Sequence, residues 1–477
     1  MRVVVIGGGI VGALIARELS FYDVDVALVE KENDVGWGIT KANSGIIHAG
    51  YDDEPGTLRA SLVVPGNEMY DELSEKLSLK FRRVGSHVLA FTDEDLKTIQ
   101  ELYERGQKNG VKGLRILERD EVLSMVPKVN PKVKASLYAP SAGIILPWEV
   151  AIRASENFVI NGGKLVLGEK VVSIETSAGR VRKVVTDKGE YEADVVVNAA
   201  GLFSDEIAQL AGAESVPIHP RKGEYILLDT TEYTSSILFP TPAKGSKGIL
   251  VLPTMSGNTL VGPNAQDLPR DRKEDLSTTD DGLKEIMEGA RKLIPSIKFD
   301  KVLRTFAGLR PESPQRDFFI KASEKVWGFV NVAAIRSPGL TAAPAIAKMV
   351  VEEIIEQRLK VTLVKKESYV DRVNPIPDVS EMPLEEWVEL VRKDSRFGNV
   401  ICACNRVTEG EIVEAIRRGA RTLDSIKFRT EAMFGPCQGG RCLVKIARIL
   451  ARETGKELSE ILLNSTGSEI VWRKVRP

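Results

Sequence analysis

All four cysteines of the chain lie in one short stretch near its C-terminal end. They occur as Cys402-x-Cys404 and Cys437-x4-Cys442, and the first 401 residues contain none. Buried structural cysteines would be scattered, so this grouping indicates a dedicated ligand set. Four thiolates can hold a zinc ion or a [2Fe–2S] cluster. Because zinc sites favour two to four residues between paired cysteines, the Cys-x-Cys spacing favours the cluster over zinc and over free thiols.

A second group of residues suited to ligand chemistry opens the chain. Gly7, Gly9 and Gly12 show the spacing G-x-G-x-x-G between an apolar strand and an amphipathic helix, and Glu30 closes the next strand. Such glycines permit a tight turn, close approach of the backbone to a pyrophosphate, and close helix–strand packing, while the acid can bind ribose hydroxyls. The helix N-terminus adds N–H groups and the positive end of its dipole. The stretch predicts a dinucleotide-binding βαβ unit, with an unliganded βαβ unit as the alternative.

Two later loops are also suited to contacting a cofactor. Residues 36–50 are rich in glycine yet apolar, and a buried loop of this kind must satisfy its backbone polar groups against some partner. Residues 337–341 follow a buried strand and deliver a helix N-terminus, which suits a negative or electron-rich ligand. We therefore expect both loops to lie against the same bound molecule.

Two side chains are the leading candidates for the chemistry itself. His48, one of only three histidines, lies in the first of these loops, where it is either catalytic or a packed residue that holds the loop. Arg310 lies between a strand and Pro311. A guanidinium can bind phosphate or carboxylate through two hydrogen bonds, so Arg310 is either an anion anchor or half of a strand-end salt bridge.

Composition limits the class of protein. A length of 477 residues exceeds the ~250–300 residues at which single cores stop growing, so we expect more than one domain. The net charge of -1 argues against nucleic-acid binding, and no apolar run reaches the ~18 residues of a membrane span. The first strand begins at residue 2 and leaves no room for a leader. We expect a cytoplasmic protein whose membrane contact is at most peripheral.

The order of the predicted elements indicates an α/β fold. We predict a Rossmann-like nucleotide-binding domain with an inserted antiparallel substrate-side sheet, followed by a small α-rich domain that carries the cysteines. The predicted boundaries are 1–85, 140–215 and 302–358 for the discontinuous nucleotide-binding domain, 86–139 and 216–301 for the substrate domain, 359–398 for a linker, and 399–477 for the cysteine domain.

Three separated motifs carry a resemblance to a known family: the N-terminal glycine fingerprint, residues 198–201 and residues 337–341. Over residues 1 to about 355 the chain resembles the D-amino-acid-oxidase-like FAD flavoproteins. Within that group, residues 43–50 resemble L-2-hydroxyglutarate dehydrogenases. Residues 308–311 and the overall plan are similar to the catalytic subunit of anaerobic glycerol-3-phosphate dehydrogenase. Those dehydrogenases carry an arginine where this chain has residues 51–53, Tyr-Asp-Asp. The cysteine region resembles the bacterioferritin-associated-ferredoxin-like [2Fe–2S] domain.

The resemblance implies an FAD-dependent dehydrogenase that oxidises a small anionic 2-hydroxy substrate. The first expectation is sn-glycerol 3-phosphate and the second is L-2-hydroxyglutarate, while a non-catalytic electron-transfer subunit is a third interpretation. His48 would be the base, Arg310 the anion anchor, and the four cysteines the ligands of a cluster that passes electrons to a second flavoprotein or a small iron–sulfur subunit. The implied FAD contacts are Gly7, Gly9, Gly12, Glu30, Thr40, Ser44, Val171, Ala200, Gly201, Arg336, Gly339, Leu340 and Thr341.

Overall fold

The computed structural model of the chain describes residues 1–242 and 247–471. The predicted substrate domain includes residues 243–246, and the predicted cysteine domain includes residues 472–477. Those parts of the two predictions lie outside the described residues.

The strands of the described residues are numbered in chain order. They are β1 (Arg2–Ile6), β2 (Asp25–Glu30), β3 (Ile46–Ile47), β4 (Phe81–Arg83), β5 (Ser86–Ala90), β6 (Arg115–Glu118), β7 (Ala135–Ala139), β8 (Gly143–Ile145), β9 (Lys164–Leu167), β10 (Val171–Ser177), β11 (Arg180–Thr186), β12 (Glu190–Glu192), β13 (Val195–Asn198), β14 (His219–Leu228), β15 (Ile237–Pro240), β16 (Val251–Pro253), β17 (Thr259–Val261), β18 (Gln266–Asp267), β19 (Val302–Glu312), β20 (Phe319–Ala322), β21 (Phe329–Ala333), β22 (Val400–Cys402) and β23 (Val407–Thr408).

The α-helices are numbered in the same way. They are α1 (Ile10–Leu19), α2 (Leu58–Leu77), α3 (Asp93–Lys108), α4 (Arg119–Met125), α5 (Pro147–Ile160), α6 (Ser204–Leu210), α7 (Asp280–Leu293), α8 (Gly339–Met349), α9 (Leu384–Lys393), α10 (Glu409–Arg417), α11 (Leu423–Thr430) and α12 (Leu443–Thr454). Helix α8 continues as a π-helical segment, Val350–Arg358, and short 3₁₀ turns occur at Gly201–Phe203, Ser395–Gly398 and Leu458–Glu460.

A six-stranded sheet of order β20-β21-β13-β1-β2-β9 forms the centre of the first domain. Five of its strands are parallel, and β20 is an antiparallel edge. Val3 and Val5 of β1 pack in the core formed with helices α1, α5 and α8, whereas Val4 and Ile6 pack in the core formed with the β10-β11-β12 sheet. Because both faces are covered, these strands are apolar throughout rather than alternating.

The predicted βαβ unit is confirmed as β1, α1 and β2, and two of its glycines have clear steric reasons. Gly7 has φ of +106°, in the region that glycine adopts without strain. A Cβ on Gly12 would lie 1.9 Å from the Gly7 carbonyl oxygen, so only glycine lets α1 pack this closely on the turn. The start of α1 is thereby pressed against the ends of β1 and β13.

The predicted inserted substrate-side sheet is also present. It has the order β18-β14-β17-β16-β15-β5-β7-β6, is antiparallel except for the β15–β5 pair, and draws its strands from two separate parts of the chain. Strand β19 pairs with β14 along almost its whole length, so it belongs to this sheet, whereas the predicted boundaries place residues 302–312 in the nucleotide-binding domain. The sequence shows that β19 is a strand but does not reveal which strand pairs with it.

The predicted linker, residues 359–398, is packed onto the first domain in its N-terminal part, up to Val373. The N–H of Lys366 donates to the Phe21 carbonyl and that of Val373 to the Lys76 carbonyl, both at 2.9 Å. Leu363 and Val373 lie in the same core as the central sheet, and α9 follows. Leu363 and Val373 give this segment apolar side chains to bury, which a free linker would lack.

The cysteine domain is small and mainly helical, as predicted. A β22–β23 hairpin precedes α10, α11 and α12, and Thr408 and Glu411 form the capping box that starts α10. Cys402 and Cys442 belong to its apolar core. Among the residues that the structure describes, no helix is long and apolar enough to cross a membrane.

Candidate active site and cysteine site

A cleft of about 880 Å³ lies where β1, β2 and β13 end. The carboxyl ends of parallel strands are where doubly wound folds bind nucleotides, and the volume is within the range of small-molecule sites. Nine of the thirteen residues predicted to contact FAD line this cleft: Gly7, Gly9, Glu30, Thr40, Val171, Ala200, Gly201, Gly339 and Leu340.

Two helices begin at this cleft, and side chains hold the turns around them. Helix α1 begins beside Gly9 and α8 begins at Gly339, so both present the positive end of their dipoles. The Thr40 hydroxyl accepts a hydrogen bond of 3.0 Å from the Ile10 N–H. The Glu30 carboxylate accepts from the N–H of Gly8 at 2.6 Å. Burial raises the pKa of Glu30, and this backbone bond opposes the rise. The residues present therefore fit a bound dinucleotide.

Four predicted contacts do not line the cleft. Gly12 packs beneath it against Gly7, and Ser44 lies in the loop just beyond Asn43, which does line it. Arg336 is bound to Glu312 through its Nη1 at 2.8 Å. Thr341 is fully buried. Their contacts with FAD stay predictions.

His48 lies beside the cleft rather than in its wall. Its backbone N–H donates to the Thr341 hydroxyl at 2.9 Å, which ties the loop to the first turn of α8. Its ring faces a separate cavity of about 20 Å³, lined also by Asp52, Phe239 and Lys247, with room for a single water. Burial, assisted by the positive charge of Lys247, lowers the pKa of His48 well below its usual value. The imidazole is therefore neutral at neutral pH and can accept a proton.

Arg310 projects from the face of β19 that covers the flavin-side loop, residues 36–50. On this face a Cβ at Gly308 would lie 1.8 Å from the Ala42 carbonyl oxygen, and one at Gly223 would lie 2.7 Å from Arg310 Nη2. The guanidinium also hydrogen-bonds the Tyr225 hydroxyl. Arg310 Nη1 is buried and has no hydrogen-bond partner. A buried, unpaired N–H of a cation is costly, so this atom is suited to an incoming anion.

A second guanidinium is held by the same strand through Glu312. Arg310 and Glu312 are two residues apart on one strand, so their side chains share a face of the sheet. Arg336 is bound to Glu312, and its Nε is likewise buried without a partner. The arrangement places two cations with unfilled donor capacity on the side of β19 that faces the flavin-side loop. The described contacts do not join either arginine to His48.

The four cysteine thiols meet in two pairs. The side chains of Cys404 and Cys437 are hydrogen-bonded to each other, as are those of Cys402 and Cys442. Cys402 and Cys442 are buried, while Cys404 is exposed and Cys437 half-buried. Within residues 1–242 and 247–471, no three His, Cys, Asp or Glu side chains are grouped around a single ion position. Two pairs of thiols match a cluster in which each of two irons takes two protein ligands.

The turn before α12 aims backbone donors at sulfur. The N–H groups of Arg441, Gly439 and Gly440 hydrogen-bond Cys437 and lower the pKa of its thiol. Such donors stabilise a thiolate, which is the form that binds iron. A Cβ on Gly435 would lie 2.5 Å from the Cβ of Cys404, so glycine is required for the two cysteine segments to meet. The donor set fits a [2Fe–2S] cluster.

An aromatic cluster joins the cleft to the cysteine domain. Trp37 lines the cleft, and its ring centroid is 5.2 Å from that of Phe428 in α11. Phe428 contacts Phe434 at 5.5 Å, and Phe434 precedes Cys437 by three residues. Trp148 of α5 packs against both phenylalanines, and Lys41 Nζ lies 3.4 Å from the Trp37 ring centroid.

A buried ion pair closes the same interface. Arg429 Nη2 donates to Asp34 Oδ1 at 3.0 Å, and both side chains are no more than 5% exposed. Asn464 and Ser465 of the cysteine domain line the cleft itself. Sequence reasoning missed all these residues, because contacts between positions almost 400 apart leave no local periodicity or spacing.

Comparisons with known proteins agree with this geometry. Residues 2–353 match the family model described as FAD dependent oxidoreductase, and residues 400–452 match the BFD-like [2Fe-2S] binding domain. The chain is 46% identical over 473 residues to glycerol 3-phosphate dehydrogenase of Caloramator mitchellensis, which covers 98% of each chain.

Two further relatives match the first domain. The chain is 34% identical to L-2-hydroxyglutarate dehydrogenase of Indibacter alkaliphilus, covering 55% of this chain and 67% of that one. The structure of L-alpha-glycerophosphate oxidase from Mycoplasma pneumoniae, which is described with FAD bound, superposes with a TM-score of 0.74 at 28% identity and covers 78% of this chain and 98% of that one.

These findings confirm the predicted fold class and the two predicted cofactors. The family match covers the βαβ unit, the central sheet and all residues lining the cleft except Asn464 and Ser465, and the second match covers all four cysteines. The chain belongs to the FAD-dependent oxidoreductase family and carries a BFD-like [2Fe–2S] binding domain at its C-terminal end.

Proposed function

We propose that this protein oxidises sn-glycerol 3-phosphate to dihydroxyacetone phosphate. The observation that carries the proposal is the buried, unpartnered Nη1 of Arg310, on the face of the substrate sheet that covers the flavin-side loop. A guanidinium fork matches the oxygens of a phosphate. The glycerol 3-phosphate dehydrogenase that is similar over both domains supports phosphate as the anion.

The chain's own residues would pin the substrate and accept its hydroxyl proton. Arg310 would bind the phosphate through its unpartnered Nη1. Arg336 would assist, because its Nη1 is bound to Glu312 while its Nε has no partner. Anchoring the anion holds the substrate carbon that loses hydride at a fixed position. This lowers the activation barrier of hydride transfer, because the reacting atoms are already aligned. His48, neutral at neutral pH, would accept the proton. When bound, FAD supplies the two-electron acceptor and the [2Fe–2S] cluster a one-electron outlet.

The four cysteines are proposed as the cluster ligands, Cys402 and Cys442 on the buried side and Cys404 and Cys437 toward solvent. Electrons would leave to a partner, either a second flavoprotein or a small iron–sulfur subunit. A reducing compartment such as the cytoplasm is consistent with four free thiols, since disulfides persist mainly in oxidising compartments. The cytoplasmic location and the electron-accepting partner are part of this same proposal.

The function is tested by flavin bleaching without oxygen. Purified holoprotein is mixed anaerobically with sn-glycerol 3-phosphate, L-2-hydroxyglutarate or glycerol, and the visible absorbance of the flavin is followed. We expect rapid bleaching by glycerol 3-phosphate alone, because glycerol lacks the anion and hydroxyglutarate carries two carboxylates in place of the phosphate. Bleaching by L-2-hydroxyglutarate alone would assign the other substrate, and no bleaching by any of them would favour a non-catalytic electron-transfer subunit.

Replacing Arg310 should weaken substrate binding. The Arg310→Ala variant removes a charge-assisted hydrogen bond worth about 1.5–3 kcal/mol, so KM for glycerol 3-phosphate should rise roughly 10–100-fold. Steady-state kinetics with an artificial acceptor measure this. Arg310→Lys should recover only part of the loss, because an ammonium cannot bind with a fork.

The matched control for this variant lies on the same strand. Arg304 is exposed, six residues earlier in β19, and Arg304→Ala should leave KM unchanged. A KM for Arg310→Ala equal to that of the unmodified protein would make Arg310 a structural residue and move the anion site elsewhere.

Removing the imidazole of His48 should slow the chemical step. His48→Ala should lower kcat by ~10²–10⁴, with FAD still bound, because general base catalysis is lost. Since burial lowers the pKa of His48, the base form is present at neutral pH. The kcat of the unmodified protein should therefore fall only when the pH drops well below 6.5, where the imidazole gains a proton.

His219 offers the comparison for this prediction. It is half-buried, with its Nε2 3.9 Å from Asp267 Oδ1, and His219→Ala should keep kcat within about twofold of the unmodified value. Flavin reduction at a normal rate in His48→Ala, with a loss in His219→Ala, would reverse the two assignments.

A further inference from the structure

The cysteine site has a buried side and an exposed side. Cys402 and Cys442 are each 1% exposed, whereas Cys404 lies at the surface and Cys437 is half-buried. The buried pair faces the core of the domain. A cluster held by these thiols would therefore approach solvent only at the edge formed by Cys404 and Cys437.

Four exposed cations lie close to that edge along the chain. Arg406 follows Cys404 by two residues, and Arg441 precedes Cys442 and directs its N–H at the Cys437 sulfur. Lys445 and Arg448 follow on α12, three residues apart and therefore on one face of the helix. All four of these cationic side chains are exposed. We call this group the basic rim: Arg406, Arg441, Lys445 and Arg448.

Within the part of the chain that the structure describes, the basic rim forms no ion pair, whereas several other arginines of the cysteine domain do. Elsewhere in the domain Arg418 pairs with Glu414, Arg429 with Asp34, and Arg452 with Glu409. Glu414 and Glu409 are thus engaged away from the rim, and no described carboxylate forms an ion pair with a rim residue.

Exposed apolar residues lie next to the rim residues along the chain. Val444 is 53% exposed, and Ala403 and Pro436 are also at the surface. An apolar centre with a charged border is the usual anatomy of a protein–protein contact. The apolar face of α12, formed by residues such as Ile446 and Leu450, is turned into the core, so this helix has no amphipathic surface to lay into a lipid headgroup region.

We propose that the basic rim docks an acidic protein that carries a one-electron centre, and that this protein takes electrons from the cluster. The proposal rests on the proposed function in one respect, that electrons leave through the cluster. Each docking event oxidises the reduced cluster by one electron and reduces the carrier by one, so two carriers are reduced for every two-electron oxidation of substrate. Complementary charge would mainly raise the rate of encounter.

The test reverses the charge of the rim without touching the cysteine segments. The holoprotein is reduced with stoichiometric dithionite, so that the result does not depend on the substrate. It is then mixed with a purified acidic [2Fe–2S] ferredoxin or with the cationic oxidant hexaammineruthenium(III). In the Lys445→Glu/Arg448→Glu variant, the second-order rate with ferredoxin at low salt should fall about tenfold or more, while the rate with the cationic oxidant should not fall.

Two controls make this outcome specific. Lys97→Glu/Lys108→Glu makes the same change in net charge on exposed positions of α3, in the substrate domain, and should keep the ferredoxin rate. At about 1 M salt, where the Debye length is ~3 Å, the difference between the rim variant and the unmodified protein should disappear. The visible spectra of flavin and cluster report that each variant is intact.

Either of two results would overturn the proposal. One is a ferredoxin rate in the rim variant equal to that of the unmodified protein at low salt. The other is sedimentation of the unmodified protein with vesicles of anionic phospholipid, lost in the rim variant, while the ferredoxin rate is unchanged; the rim would then be a lipid contact. Failure of glycerol 3-phosphate to bleach the flavin would count against the proposed function alone.

Discussion

The contact between residues 34–41 and the cysteine domain is the constraint on which electron flow in this molecule depends. The Asp34–Arg429 ion pair is buried on both sides, and removing one partner of such a pair leaves an uncompensated charge in the interior. The pair therefore fixes how the two domains meet. Electron transfer weakens steeply with distance, so a fixed contact between the domains keeps the distance from the cleft to the cysteine site constant.

Aromatic rings connect the cleft to the cysteine site across that contact. Trp37 belongs both to the wall of the cleft and to the cluster of rings around Phe428, and Phe434 lies in the same turn as Cys437. The packed segment between the domains also holds them together, because the backbone hydrogen bonds of Lys366 and Val373 remove the freedom of a flexible linker. The cysteine domain is thus fixed against the first domain, and electrons can leave through it without a domain movement.

Local patterns predicted a large part of this structure. The glycine spacing predicted β1, α1 and β2, because such a turn is encoded by residues a few positions apart. Pairing partners are not encoded in this way. The pairing of β19 with the substrate sheet joins distant segments of the chain, and so does the Asp34–Arg429 ion pair. Neither contact can be read from periodicity or composition. Whether Arg310 Nη1 finds a hydrogen-bond partner likewise depends on the residues of β14 beside it, which the local sequence does not reveal.

The account is tested most directly by the paramagnetism of the cluster during a single turnover. Holoprotein is mixed without oxygen with less than one equivalent of sn-glycerol 3-phosphate, frozen at successive times, and examined by electron paramagnetic resonance, with flavin absorbance recorded in parallel. We predict that flavin bleaches first and that the signal of a reduced [2Fe–2S] cluster then grows in the same chain. A flavin that is reduced and stays reduced beside a cluster that remains oxidised would contradict the account.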